Sequence, residues 1–214
     1  MNIFFQPAAE GHHRLAACGA IILLIASAAS LLAAPSLLPE SYSWLSHGTS
    51  ESAAQGIRGA WLARLGFLTL GLAVLLLAAS FRTVWARAAV WLHVGFGVFM
   101  VSAAAFSTRP WMPGASYDPA EDALHSFAAN AMGFAFAFGV VVRWIQRGRG
   151  DPVGKLVDSI AVVAATLIPI VMSAVPARYG VAQRLMFLIA YVWYAREAAL
   201  RLGPDVGARS RPLA

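Results

Sequence analysis

Six apolar stretches of about 20 residues each constrain this chain more than any other feature of its sequence. They cover residues 15–34, 61–81, 88–106, 123–142, 156–175 and 181–202. A helix rises about 1.5 Å per residue, so each stretch can cross a hydrocarbon layer of roughly 30 Å. Arg184, Arg196 and Glu197 make the last stretch the least apolar, and its arginines can extend toward the membrane surfaces. We predict an all-α, polytopic membrane bundle of six transmembrane helices.

The composition supports this class and excludes others. Hydrophobic residues make up 59% of the 214 residues and charged residues only 12%, whereas soluble domains carry roughly 25% charged residues. The single cysteine excludes a disulfide scaffold. The apolar residues are too many for one compact soluble core, so most of them are expected to face lipid.

The distribution of basic residues predicts the orientation, because cytoplasmic loops collect Lys and Arg. Eleven of the 16 basic residues fall on the side of the two termini, with the densest run from Arg143 to Lys155. Both termini are therefore predicted to be cytoplasmic. Anionic lipid headgroups are the expected partner of this charge. Binding to nucleic acid would need a basic face on a soluble module, and we do not expect it.

The same patterns divide the chain into three parts. Residues 1–14 are a cytoplasmic N-terminal segment, residues 15–202 the six-helix transmembrane domain, and residues 203–214 a basic cytoplasmic tail. Arginine far outnumbers lysine and alanine is abundant, which is typical of bacteria with GC-rich genomes. The expected location is a bacterial inner membrane, crossed several times.

The densest polar group opens the fourth stretch. Asp118, Pro119 and Glu121 form the pattern of a helix N-terminus with a capping box. Asp122 and His125 are three residues apart and share one helix face, where a carboxylate and an imidazole can bind a metal or pass a proton.

His47, in the connection between the first two stretches, lies on the same side of the membrane as this group. His47, Asp122 and His125 are therefore a possible three-ligand metal site, in which a bound metal would activate water against a lipid ester or amide. The alternative is a solvated loop histidine with no role. No spacing connects His47 to the other two, and the sequence does not identify a metal.

Three further polar residues fall within or beside the apolar stretches. His93 is either a haem ligand or a single buried histidine bonded to a neighbouring group. Asn130 lies deep in the fourth stretch, so we expect it to bond another helix or to line a polar cavity. Arg64, at the start of the second stretch, is expected to extend to the membrane surface.

No HExxH, GxSxG, Walker or CxxC motif occurs in the chain. The familiar hydrolase, nucleotide-binding and redox signatures are therefore missing. Whether the protein is an enzyme stays open, and no catalytic residue or cofactor is assigned.

Several scattered segments resemble a bacterial and archaeal six-helix membrane family that is catalogued as domain of unknown function 998. They are Tyr42-Ser43-Trp44-Leu45, Trp61 with Leu65-Gly66-Phe67 and Gly71-Leu72, Phe106-Ser107-Thr108-Arg109-Pro110, and Leu124-His125. The chain departs from the family at Arg64, where an asparagine is usual, and at residues 106–109, where the family has a Phe-Pro-Thr-Asp-like turn. The resemblance implies a six-span bundle and marks His125 for testing, but it implies no reaction.

Three functions follow from these observations. The first is a protein that binds or moves a lipid or small molecule within the helix bundle, for which Asn130 is the main polar candidate. The second is a metal-dependent intramembrane hydrolase whose site opens outward. The third is a haem-binding redox protein that uses His93. The oligomeric state is not readable from the sequence.

Overall fold

The computed structural model describes residues 6–148 and 150–203, and these residues form six long helices and no β-strand. The helices are α1 (Gln6–Ala33), α2 (Trp61–Ser80), α3 (Arg87–Ala105), α4 (Pro119–Gln146), α5 (Pro152–Ala174) and α6 (Tyr179–Leu202). Each predicted span is therefore confirmed as a helix. The helix α1 begins at Gln6, within the segment expected to precede the first span. The predicted basic tail, apart from Gly203, lies outside the described residues.

Local chemistry explains where α4 and α5 begin. The Asp118 carboxylate accepts a hydrogen bond from the Ala120 amide at 2.8 Å, and Pro119 occupies the first helical position. The Asp151 carboxylate caps α5 in the same way, through the Gly154 amide at 2.8 Å. The start of α4 was predicted from Asp118 and Pro119.

The helices form a ring in chain order, in which each helix packs against the next and α6 returns to α1. The short connections 81–86 and 147–151 make α3 antiparallel to α2 and α5 antiparallel to α4. Glycines bring α2 and α3 close together: a Cβ atom added to Gly71 would lie 2.8 Å from the Gly97 carbonyl oxygen.

The helix α6 is the hub of the ring, because its side chains contact all five other helices. Tyr191 meets Ser27 of α1, Phe187 meets Phe67 of α2, Tyr194 meets His93 of α3, Glu197 meets Arg143 of α4, and Trp193 meets Asp158 of α5. Its outer side carries exposed apolar residues such as Leu185 and Leu188. The inner side of α6 thus combines polar residues with buried rings such as Phe187 and Trp193, while Leu185 and Leu188 face outward.

The five helices α1–α5 are long and apolar enough to cross a membrane. The chain is a multi-pass membrane protein. Its bundle has two ends, which we name by their residues: the charged end, with residues 81–86 and 147–151, and the loop end, with residues 38–60 and 106–118. The cytoplasmic location of the charged end stays a prediction.

Candidate functional site

Six ionised side chains form a network at the charged end. They are Arg143 and Arg147 at the end of α4, Asp151 and Asp158 at the start of α5, and Arg196 and Glu197 of α6. Three positive and three negative charges make the network neutral. Charges of this kind are retained in a low-dielectric interior when each one is paired.

Arg147 is the centre of the network. It pairs with Asp158 at 2.6 Å, with Asp151 at 3.0 Å and with Glu197. Glu197 also pairs with Arg143 at 3.1 Å. Because one guanidinium bonds carboxylates from α5 and α6, it fixes those helices against the end of α4.

The network continues into an aromatic cluster around His93. Asp158 accepts a hydrogen bond from the Trp193 indole at 2.7 Å, and the Trp193 ring stacks on His93 at 4.8 Å. His93 Nδ1 lies 3.0 Å from the Tyr194 hydroxyl. The cluster packs α3 against α6 just below the paired charges.

The structure bears on the two readings of His93. The residue is 0% exposed, and a Cβ atom added to Gly139 would lie 2.9 Å from its Nε2. The imidazole is therefore enclosed by Gly139 and aromatic rings, with no space for a macrocycle. Its surroundings match the alternative of a single buried histidine with a neighbouring partner, and they do not fit haem ligation.

At the loop end, Arg184 fastens the connection between α1 and α2 to α6. Its guanidinium donates to the Trp44 carbonyl at 2.8 Å and to the Tyr42 hydroxyl at 2.6 Å, and it lies over the Trp44 ring. Burial raises the pKa of Tyr42, although the positive charge of Arg184 opposes this shift. Tyr42 therefore stays a neutral hydroxyl that accepts from Arg184 and donates to the Gly48 carbonyl at 2.8 Å.

Arg64 of α2 provides a second attachment of the connection between α1 and α2. Its guanidinium donates to the Ala53 and Ala54 carbonyls, each at 3.1 Å. This pairing accounts for an arginine at the start of α2 better than simple extension to the membrane surface. Arg64 is a structural anchor of the loop.

Residues 106–109 lie against the first turns of α4, along a line of contact that we call the 106–125 seam. Glu121 accepts a hydrogen bond from the Ser107 amide at 2.6 Å, and Asp122 accepts from the Arg109 amide at 2.8 Å. His125 Nδ1 lies 2.8 Å from the Phe106 carbonyl oxygen. The reciprocal half of the predicted capping box is therefore wrong, because the Glu121 side chain bonds the seam.

Beside the seam lies an open groove with a volume of about 600 Å³. Its walls combine charged and aromatic side chains from separate parts of the chain. The carboxylate is Glu51, the guanidinium is Arg109, and the rings are those of His47, Trp111, Tyr117 and Tyr179. The His47 and Trp111 rings lie 5.4 Å apart, and the Trp111 indole donates to Ser41 at 3.3 Å. These contacts fix the aromatic wall of the groove.

The structure does not assemble the metal site considered from the sequence. His47 Nδ1 accepts from the Ser43 amide at 2.8 Å, Asp122 bonds Thr108 and Arg109, and His125 bonds Phe106. Within residues 6–148 and 150–203, no group of three or more His, Cys, Asp or Glu is arranged to hold a metal ion. The three candidates have separate structural partners.

A comparison with protein families identifies the chain. The model of a family described as "Protein of unknown function (DUF998)" matches residues 16–199. The chain belongs to this family. No curated protein matches it. No solved structure matches it. The resemblance inferred from the sequence is confirmed, and two of the segments that carried it, residues 106–110 and 124–125, meet at the seam of this DUF998 member.

Asn130 corrects another expectation. It lies on the exposed side of α4, and its amide nitrogen donates to the Ser126 carbonyl of the same helix at 2.8 Å. Among the described residues it bonds no other helix, and its exposed position does not line an internal cavity. Ala128 and Met132, on the opposite side of the helix, face the core.

Sequence reasoning missed several polar residues that the structure uses. Gln55 is the clearest case, because its side chain donates to the Ser107 carbonyl at 2.7 Å and accepts from the Asp118 amide at 2.7 Å. Arg184 and Glu197 appeared only as interruptions of an apolar stretch. The available signal was their position: polar residues on a span must be paired unless they reach water.

Proposed function

We propose that this DUF998 member is an inner-membrane protein that binds the polar headgroup of a zwitterionic phospholipid in the loop-end groove. The observation that carries the proposal is the lining of this groove, about 600 Å³ in volume, in which Glu51, Arg109 and aromatic rings converge. The proposal concerns binding, and it includes no reaction.

The lining fits the two charges of such a headgroup. Arg109 is exposed and suits a phosphate, which guanidinium groups bind through paired hydrogen bonds. A carboxylate beside aromatic faces suits an ammonium group, through charge attraction and cation–π contact. Glu51 supplies the carboxylate, while Trp111, Tyr117 and Tyr179 supply the rings.

The position of the groove also favours a lipid. Pro176 and Tyr179 line it at the connection between α5 and α6, where the apolar surface of the bundle ends. The interior expected to hold a ligand is instead filled near its centre by Phe67, Phe136 and Trp193, which are all buried. The proposed site is therefore at the end of the bundle.

The test is a titration of purified protein in detergent with dihexanoyl phosphatidylethanolamine, read by calorimetry and by tryptophan fluorescence. Dihexanoyl phosphatidylglycerol is the comparison, because it keeps the phosphate and lacks the amine. Glu51→Gln removes the charge and keeps an acceptor for the Gly48 amide. Glu40→Gln, an exposed acid at the same end, is its matched control.

We expect Glu51→Gln to weaken phosphatidylethanolamine binding roughly tenfold, the effect of losing one charged hydrogen bond, and to leave phosphatidylglycerol binding unchanged. Arg109→Gln should weaken both lipids, while Arg58→Gln, at another exposed arginine of this end, should weaken neither. The proposal is refuted if the wild type shows no saturable binding, or if the two control variants lose as much affinity as the groove variants.

A further inference from the structure

Two buried side chains of the 106–125 seam have polar atoms that bond nothing in the described part of the chain. Ser107 is 0% exposed and its Oγ is unpaired, and His125 is 3% exposed and its Nε2 is unpaired. The two residues are neighbours across the seam, because the Phe106 carbonyl that precedes Ser107 is bonded to His125. Buried polar atoms are nearly always paired, so two such atoms in one seam need an explanation.

The bond to Phe106 determines what His125 offers. A carbonyl oxygen only accepts hydrogen bonds, so the hydrogen of this bond belongs to His125 Nδ1. In the neutral imidazole, Nε2 then has no hydrogen and a free lone pair. His125 therefore presents a hydrogen-bond acceptor whose orientation is fixed by a backbone partner.

The other groups of the seam are already used. Glu121 and Asp122 bind the amides of Ser107 and Arg109, and Gln55 binds the Ser107 carbonyl. These bonds leave Ser107 Oγ and His125 Nε2 as the unpaired buried side-chain atoms of the seam within the described part of the chain. Thr108 and Arg109, the next residues of the seam, line the groove, so the seam borders it directly.

His93 shows that an unpaired imidazole nitrogen is not enough for such a site. Its Nε2 is also unpaired, but it abuts Gly139, where even a Cβ atom would lie 2.9 Å away. Among the described residues, no serine with an unpaired buried hydroxyl lies beside His93. The seam differs from the surroundings of His93 because it combines an unpaired imidazole nitrogen, His125 Nε2, with an unpaired serine hydroxyl, Ser107 Oγ.

We propose that His125 and Ser107 form a binding site for a single hydroxyl group. A hydroxyl matches both atoms at once, because it donates to His125 Nε2 and accepts from the Ser107 hydroxyl. Water and a glycerol hydroxyl of a phosphatidylglycerol headgroup in the groove share this chemistry. The second source rests on the part of the proposed function in which Arg109 binds a lipid phosphate, because a phosphatidylethanolamine headgroup has no hydroxyl. The first source does not rest on it.

The test uses Ser107→Ala and His125→Asn in the full chain. Asparagine can still donate to the Phe106 carbonyl, but it has no acceptor where Nε2 lies. Ser52→Ala is the matched control, because Ser52 is a buried loop-end serine whose hydroxyl donates to the Thr49 carbonyl. The first readout is the Tm of lipid-free protein in detergent, and the second is the affinity for dihexanoyl phosphatidylglycerol.

The direction of the Tm change in Ser107→Ala shows whether the Ser107 hydroxyl is bonded in the lipid-free protein. If the Ser107 hydroxyl bonds nothing, its removal should leave the Tm unchanged or raise it. A bound water predicts that Ser107→Ala and His125→Asn each lower the Tm by about 3–5 °C. A lipid hydroxyl predicts an unchanged Tm and a loss of roughly tenfold in phosphatidylglycerol affinity, with Ser52→Ala retaining that affinity.

A third readout is independent of stability. In protein labelled with ¹⁵N-histidine, the His125 signals are assigned by their loss in His125→Asn. A hydroxyl donor at Nε2 shifts its ¹⁵N resonance upfield from that of an unbonded imine nitrogen, and Ser107→Ala should partly reverse this shift. The proposal is overturned if Nε2 shows the unbonded value in lipid-free and lipid-bound protein, or if both variants equal the wild type in Tm and affinity. A wild type that binds no lipid refutes the proposed function, and the Tm and the ¹⁵N shift still decide this site.

Discussion

Neutralising Glu197 should destabilise the protein far more than neutralising Asp151, although both belong to the same network. The Glu197 side chain is 1% exposed and contacts Arg143, Arg147 and Arg196. The Asp151 side chain is 34% exposed and contacts only Arg147 and Arg196 among the described basic residues. We compare Glu197→Gln with Asp151→Asn, since each exchange removes one charge at nearly constant volume.

The magnitude follows from what each exchange leaves behind. Without the Glu197 charge, Arg143 loses its carboxylate partner among the described residues while it stays buried. Leaving a buried charge uncompensated costs about 3–5 kcal/mol. Asp151→Asn breaks pairs of a carboxylate that is partly open to solvent, which are worth about 0–1 kcal/mol, and Arg147 keeps Asp158 and Glu197. Asparagine still caps α5. At roughly 2–4 °C per kcal/mol, the two Tm values should differ by about 10 °C.

The assay is reversible unfolding in detergent, followed by circular dichroism and by the total tryptophan fluorescence, to which Trp193 beside the network contributes. Adding Arg143→Met to Glu197→Gln removes the uncompensated charge, so the double variant should recover part of the lost stability. The reasoning is refuted if Glu197→Gln unfolds within about 1 kcal/mol of Asp151→Asn, or if Arg143→Met adds its full cost to that of Glu197→Gln.

Three further predictions concern single positions. Burial raises the pKa of Asp151, but bonds from the Gly154 amide and Arg196 outweigh burial and lower this pKa below the ordinary 3.8. The stabilisation by the Asp151 carboxylate is therefore present above pH 3.8 and disappears as the pH falls through the lowered pKa. Asp151→Asn should flatten the acid-unfolding curve in that pH range. Gly139→Ala should cost about 1–3 kcal/mol in chemical unfolding because its methyl group would press on His93, whereas Gly133→Ala, with nothing within 4 Å, should not destabilise. Asn130→Leu should change the unfolding free energy of the monomer by less than about 0.5 kcal/mol, because the side chain bonds only its own helix among the described residues, and a larger loss would indicate a contact with another helix.

The sequence predicted where the helices lie along the chain, but it did not predict which side of each helix faces the core. Apolar length alone located every span, and the cap at Asp118 located the start of α4. The error at Asn130 came from using depth along the span without rotation around it. Successive residues turn by about 100°, so Asn130 lies about 200° from Ala128, which packs in the core. An apolar stripe through Ala128 and Met132 would have placed Asn130 outside.

The site was harder to predict because its polar groups bind backbone. Arg64, Arg184 and Gln55 bond carbonyls of distant loops, and any residue type can supply a carbonyl. No spacing in the sequence encodes such a partner. His125 was singled out for its side-chain neighbour Asp122, yet its partner is the Phe106 carbonyl.

The helix α6 shows why a low hydropathy can mark the most important span of a bundle. Its buried positions repeat at intervals of three and four residues, which defines one inner face: Gly180, Gln183, Phe187, Ala190, Tyr194 and Glu197. That face carries the polar groups, because five neighbouring helices replace lipid around it and provide partners. In water a polar face is free to point outward, whereas in a membrane it must point toward protein. Arg184, Arg196 and Glu197 made this span the least apolar of the six, and they also form the polar contacts that join α6 to its neighbours.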